Sequence, residues 1–157
     1  MGSIMNEGIV LMQHVGKVLS LYISDKETSQ SIKKNSIEVD CQGILQDKHY
    51  SQDVERSILI TSIQSYELVN RYGIDIPYGT LGENLLIDFN PYHLPLGTKL
   101  QIGETLLEIT QNCTLCKHLA IHDKRIPKLL KNDRGIFAKT IKGGHLSAGD
   151  SIYLLED

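Results

Sequence analysis

The chain has 157 residues, a size at which one domain is the expectation and a core forms without disulfides or structural metal. Sixteen basic residues against nineteen acidic ones leave a net charge of −3, which excludes an acidic tail and is the wrong sign for a general nucleic-acid binder. Hydrophobic residues at 41% and charged residues at 22% are those of a soluble globular chain, and with no Trp and two Phe the core must be built mostly from Ile and Leu.

The three cysteines, Cys41, Cys113 and Cys116, are too few and odd in number for a secreted disulfide framework. The first 21 residues lack a basic n-region, and Glu7, His14 and Lys17 interrupt their apolar residues, so no signal peptide is expected. No run of 18 apolar residues is present to span a membrane. The expected location is therefore the cytoplasm, with the thiols reduced. Residues 1–14 read as an N-terminal extension in which Met1-Gly2-Ser3 has the look of an added start, and residues 15–157 read as one domain.

Thirteen glycines punctuate short segments, a pattern that favours strands over a helical bundle. Gly16 to Ile23 is β-branched and aromatic enough for a strand. Ile37, Val39 and Cys41 alternate with Glu38 and Asp40, which predicts a half-buried strand and a buried Cys41. A polar loop is expected over 42–53, then a short buried strand over Ser57–Thr61. Ser62 reads as an N-cap for a helix over 63–72 that Gly73 ends. Gly82–Asp88 is a strand candidate. Lys99–Ile102, Gly103-Glu104 and Thr105–Thr110 form a hairpin whose Gly-X turn suits type II′. Helical spacing runs from Cys113 to about Leu130 with Leu115, Leu119 and Ile126 as its apolar stripe, interrupted at Pro127. Strands follow at Ile136–Ile141 and Ser151–Leu155, with a turn at Gly143-Gly144. About seven closely spaced strands, one good helix and one short one predict a mainly β, mixed-strand barrel or sandwich.

Charge is uneven along the chain. From Lys117 to Lys142 there are eight basic residues against Asp123 and Asp133, a net +6, so the remainder carries −9. The block reads either as a solvated surface or as an anion site beside a thiol, in which Lys and Arg hold a phosphate. It lacks interleaved aromatics for base stacking, and no nucleic-acid partner is expected.

Cys113-x2-Cys116 and His118-x3-His122 are the densest chemistry. Zinc is disfavoured because one residue separates the two pairs, where fingers leave twelve or more. A c-type haem needs His directly after the second Cys, and Lys117 stands there. A thioredoxin-like motif fits locally, but the preceding βαβ unit is missing. The remaining reading is a lone reactive thiolate at Cys116, which opens the basic block. It would ligate a soft metal or carry sulfur as a persulfide.

Five segments in order carry a resemblance. They are Gly43-x3-Asp47-x-His49; Leu81-Gly82-Glu83-Asn84-Leu85; Leu96–Gly103; Leu107–Gln111 with Cys116 after it; and Arg134–Ala138 with Gly143-Gly144 before Gly149-Asp150. Together they resemble the MOSC family, named after the C-terminal domain of molybdenum-cofactor sulfurase. The resemblance implies a stand-alone MOSC-like β-barrel. It implies that Cys116 ligates the molybdenum of a molybdopterin cofactor or carries persulfide sulfur, without pyridoxal phosphate. A sulfur-donor protein such as a cysteine desulfurase is the implied partner. Basic groups suit the cofactor's phosphate, which makes Arg134, Lys139 and Arg56 candidates. Asn84 is placed against the pterin edge, Asp47 and His49 are placed as cofactor-binding, and Cys113 is a possible resolving thiol for Cys116. The rival classes are a non-catalytic anion- or partner-binding module and a small Cys-x-x-Cys redox or zinc protein.

Overall fold

The computed structural model describes residues 2–5, 8–114 and 117–156. Twelve strands are found among them: β1 (Gly2–Met5), β2 (Gly8–Ser24), β3 (Ser31–Lys34), β4 (Ser36–Asp40), β5 (Gly43–Ile44), β6 (Ile58–Ser62), β7 (Leu85–Ile87), β8 (Lys99–Ile102), β9 (Thr105–Asn112), β10 (Ile136–Lys142), β11 (Gly144–Ser147) and β12 (Ser151–Glu156). The helices are α1 (Ile63–Asn70) and the one-turn α2 (Ile126–Leu129), with 3₁₀ turns at Val54–Arg56 and Lys117–Ile121.

Seven strands close a barrel in the order β2-β12-β8-β9-β10-β6-β7, with β7 returning to β2. A ring with an odd number of strands cannot be antiparallel throughout, because an even number of reversals is needed to return to the starting direction. Here β6 and β7 are the parallel pair and the other six pairings are antiparallel. Parallel neighbours need a crossover, and α1 with the long loop after it supplies one. β1 and β3 flank β2, while β11, β4 and β5 form a separate three-stranded antiparallel sheet.

β2 is much longer than the expected strand. It starts at Gly8, and residues 11–14 already pair with β12, so the expected division after residue 14 falls inside a strand of the barrel. It also carries a bulge: Val18 and Ser20 pair with Ile87 and Leu86, leaving Leu19 as the extra residue. A bulge changes which parity faces inward. Val18 above it, and Leu21 and Ile23 below it, therefore all reach the barrel core with Ile58, Ile60, Leu85, Ile87, Leu100, Leu107 and Ile152. Tyr22 and Leu86 point outward instead. There they meet α1, α2 and the 3₁₀ turn in a second core with Tyr66, Val69, Leu119, Ile126 and Leu130.

Local chemistry explains the ends. Ser62 caps α1, its Oγ accepting from the Gln64 N–H at 3.2 Å, and Gly73 follows in the left-handed region at φ +78°. Gly103 takes φ +56°, the sign that the first central residue of a type II′ turn requires. Two expectations are corrected. Cys41 is exposed, because β4 ends at Asp40 and the alternation that buries Ile37 and Val39 stops there. The helical pattern after Cys113 breaks into a 3₁₀ turn and the short α2, since Pro127 has no N–H to continue a helix through it.

Candidate functional site

A pocket of about 500 Å³ opens where the loop after β5, the ends of β2 and β9, and the segments before β7 and β10 converge. Its wall includes Lys48, His49, Arg56, Asn84, Cys113, His118, Arg134 and Phe137. Three of these are permanent cations, two are histidines, and none of the described lining residues is acidic. A larger hollow of about 760 Å³ beside the end of α1 contains none of the residues singled out from the sequence.

Asp47 is the anchor of the loop. Gln46 precedes it at φ +73°, turning the chain so that the Asp47 carboxylate is swallowed at 1% exposure. Its Oδ1 accepts from the Ser24 N–H at 2.7 Å and from the Asn84 amide at 3.2 Å. Its Oδ2 accepts from the His49 N–H at 2.9 Å and faces His49 Nδ1 at 3.2 Å. Burial pushes the Asp47 carboxyl toward the neutral form. The bonds from His49 and Ser24 outweigh that and hold it below its ordinary range, so it stays ionised. Lys48 N–H bonds back to the Ser24 carbonyl, and Lys48 Nζ donates to Ser29 Oγ at 2.7 Å. The loop is thereby strapped to the end of β2.

Asn84 sits at the fork between β2 and β6. Its backbone N–H donates to Leu59 O and its carbonyl accepts from Tyr22 N–H, both at 2.8 Å. Its side chain repeats the bridge: Oδ1 accepts from Leu59 N–H at 2.9 Å, and Nδ2 donates to Tyr22 O and to Asp47. Both amide hydrogens are used inside the protein. The residue expected against a pterin edge is a brace between two strands and the Asp47 loop, and it also lines the pocket.

Arg134 is 4% exposed. Its backbone carbonyl is fixed by Thr61 Oγ1 at 3.0 Å and the Tyr92 hydroxyl at 3.2 Å. Its Nη2 donates to Leu81 O at 2.8 Å and lies 3.5 Å from His118 Nε2, while Nε has no hydrogen-bond partner. No carboxylate among the described residues comes within ion-pair distance of it. Gly82, next to Leu81, stands at φ +82°, a left-handed conformation that favours glycine. Burial, then Arg134 and His122, hold His118 below the ordinary histidine range.

Behind Arg134 lies a second buried acid that sequence reasoning missed. Glu83 is 1% exposed and accepts from the Tyr66 hydroxyl at 2.7–2.9 Å and from Gly79 N–H at 3.0 Å. Desolvation raises its affinity for a proton above the usual carboxylate range, with Tyr66, Gly79 and Arg134 opposing. The Gly-Glu-Asn run carried this signal only as a motif and gave no sign that its acid would be buried.

Of the sequence candidates, the structure brings His49, Asn84, Arg134, Arg56 and Cys113 into one pocket wall, with Asp47 directly behind His49. Cys113 is 3% exposed, its N–H bonded to Gly135 O across the start of β10. Arg56 lies 5.4 Å over the Phe137 ring. Lys139 is elsewhere: its Nζ sits 3.7 Å from Glu55 and 3.6 Å from Glu108, on a partly exposed face away from the pocket. Cys116 lies outside the described residues; Cys113 before it and His118 after it both line the pocket. Lys48 was missed because its neighbours Asp47 and His49 carried the motif.

A model of the MOSC domain matches residues 46–153. Among solved structures, the YuaD protein of Bacillus subtilis is similar at TM-score 0.74 with 16% identity, covering all of both chains. YiiM of Escherichia coli is similar at TM-score 0.69 with 18% identity, covering 90% of this chain and 70% of its own. YiiM of Geobacillus stearothermophilus gives TM-score 0.67 at 18% identity, covering 92% and 75%. No functionally curated protein shows significant similarity to the chain.

Proposed function

Starting from the chain's membership of the MOSC domain family, which a match over more than half of its length establishes, we propose that it binds molybdenum cofactor or carries sulfur, with Cys116 as metal ligand or persulfide carrier. The observation that carries this reading is Arg134. A guanidinium at 4% exposure with an unpartnered Nε, no carboxylate within ion-pair distance among the described residues and a pocket at its face offers a place for an anion. A buried unpaired charge is costly, and a phosphate oxygen is a partner whose geometry a guanidinium matches. Lys48 and Arg56 add positive charge to the same wall. The volume of about 500 Å³ falls within the range of cofactor sites, roughly 300–1,000 Å³.

The donor set fits a molybdopterin: Arg134, with Lys48 and Arg56, would hold its phosphate, and a cysteine thiolate suits a soft metal. When bound, the group would supply a redox-active molybdenum centre. The chain's own residues would bind and orient it. Asn84 and Asp47 keep the loop and the strand fork in place, and Phe137 with Arg56 offers a flat cationic surface. If sulfur is the cargo instead, a cysteine desulfurase is the chemical class of donor, and the same cations would stabilise the thiolate that receives it.

The test is anaerobic purification followed by oxidation and detection of released fluorescent pterin. Wild-type protein should release it, and Arg134→Lys, which keeps the charge and loses the planar fork, should release much less. Pterin release that is equal in both variants would remove Arg134 from the site.

A further inference from the structure

Resting on the anion-pocket reading, we propose that His49 is the proton carrier of this pocket and Asp47 its positioning residue, so that an oxyanion binds with uptake of a proton at His49 Nε2. The geometry is that of an oriented imidazole. The buried Asp47 Oδ2 faces Nδ1 at 3.2 Å and also takes the His49 N–H, which fixes both the backbone and the ring. Asp47 Oδ1 is held in turn by Ser24 and Asn84, so the carboxylate cannot swing away. An ionised carboxylate can only accept at Nδ1, so the tautomer that donates there leaves Nε2 with its lone pair free. His49 lines the pocket with its side chain 55% exposed, and no described residue bonds to Nε2.

Two conditions follow for the proton. Lys48, Arg56 and Arg134 share the pocket wall with His49, and among the described residues its charged hydrogen-bond partner is Asp47. A bound oxyanion adds negative charge on the other side of the ring, so the imidazolium forms between two anions. The transfer balances simply: one proton moves from solvent to Nε2, and no bond to the anion is made or broken. A carrier so placed can return that proton to the bound group. Cys113 and His118 also line the pocket, and the His49 variant separates the contribution of His49 from theirs.

The experiment uses inorganic sulfate, a tetrahedral oxyanion that itself takes up no proton between pH 5.5 and 8, titrated into the full chain and followed by the imidazole resonances. Sulfate affinity in wild-type protein should rise several-fold, up to about tenfold, from pH 8 to 5.5, the most that a shift of roughly one unit in one linked group gives. The His49 resonance should titrate at higher pH with sulfate than without. His49→Gln should lose most of the rise relative to its own affinity at pH 8, while His145→Gln, outside the pocket, should keep it. Asp47→Asn should weaken the rise, with its fold checked by circular dichroism. Sulfate binding with the same pH dependence in His49→Gln overturns the proton-carrier assignment alone. Sulfate that fails to bind at any pH, or binds unchanged in both Arg134→Lys and Arg56→Gln, overturns the anion pocket and this inference with it.

Discussion

Replacing Asn84 by Ala tests whether the residue is a brace. Truncation leaves the Leu59 N–H without its acceptor beside a 7% exposed residue, removes one donor from Tyr22 O, and takes one of the four hydrogen bonds to the Asp47 carboxylate. A buried donor left unsatisfied costs about 1–3 kcal/mol, and a bond to a charged group contributes about 1.5–3 kcal/mol. The terms overlap, because all three partners share one amide, so the expected loss is about 3–5 kcal/mol. That is a large part of the stability of a domain this size. Urea unfolding at pH 7 measures it, with the slope against denaturant checked for constancy. Asn84→Asp should be at least as damaging, since it sets a second carboxylate against Asp47. A loss below about 1 kcal/mol in Asn84→Ala would mean that water satisfies Leu59 and Asp47 equally well, and the bracing argument would fail.

Other outcomes follow from the same contacts. Gly143→Ala should be destabilising by about 1–3 kcal/mol or more in thermal unfolding, because its Cβ would meet the Val39 carbonyl oxygen at 2.4 Å and backbone cannot step aside cheaply. Lys139→Ala should change stability by no more than about 0.5 kcal/mol and leave ligand loading intact, as its partners Glu55 and Glu108 form a partly exposed pair set. Glu83→Gln should gain on wild type as pH rises above the ordinary Glu range. A buried acid with raised proton affinity is stabilised when protonated and loses that contribution as pH climbs through its folded value, which urea midpoints at pH 4.5 and 8 will show. Asp47 has the opposite sign: its contribution is present above the unfolded Asp range and is lost as pH falls through its lowered folded value, so Asp47→Asn should flatten the acid limb of the stability curve. Under native alkylation Cys41 should label quickly and Cys113 slowly, in line with their exposure, read by peptide mass mapping.

The parts of the fold that local chemistry decides were readable from the chain. Ser62 and Gly73 bracket α1, the Gly103 turn joins β8 to β9, and β6, β10 and β12 lie within two residues of their expected bounds. Closure was not readable, because it depends on pairings between distant strands such as β2 with β7 and β12. The bulge at Leu19 hid the inward positions of β2 by switching their parity, and the expected turn at Gly143-Gly144 conceals the entry to β11. At the site, sequence order picked out Asp47, His49, Asn84 and Arg134 but not what each does. Whether an amide faces a ligand or ties two strands is decided by its neighbours in space. Lys139 shows the same limit: its position in a basic block said nothing of the two glutamates that hold it.

The most direct measurement is molybdenum and sulfane sulfur in anaerobically purified wild-type protein and its Cys116→Ser and Cys113→Ser variants, by elemental analysis and persulfide labelling on the same samples. Wild type and Cys113→Ser should carry near-stoichiometric molybdenum or cysteine-bound sulfane sulfur, and Cys116→Ser should carry neither. Full loading of Cys116→Ser, or protein with no molybdenum and no persulfide even after incubation with a cysteine desulfurase and cysteine, would contradict it.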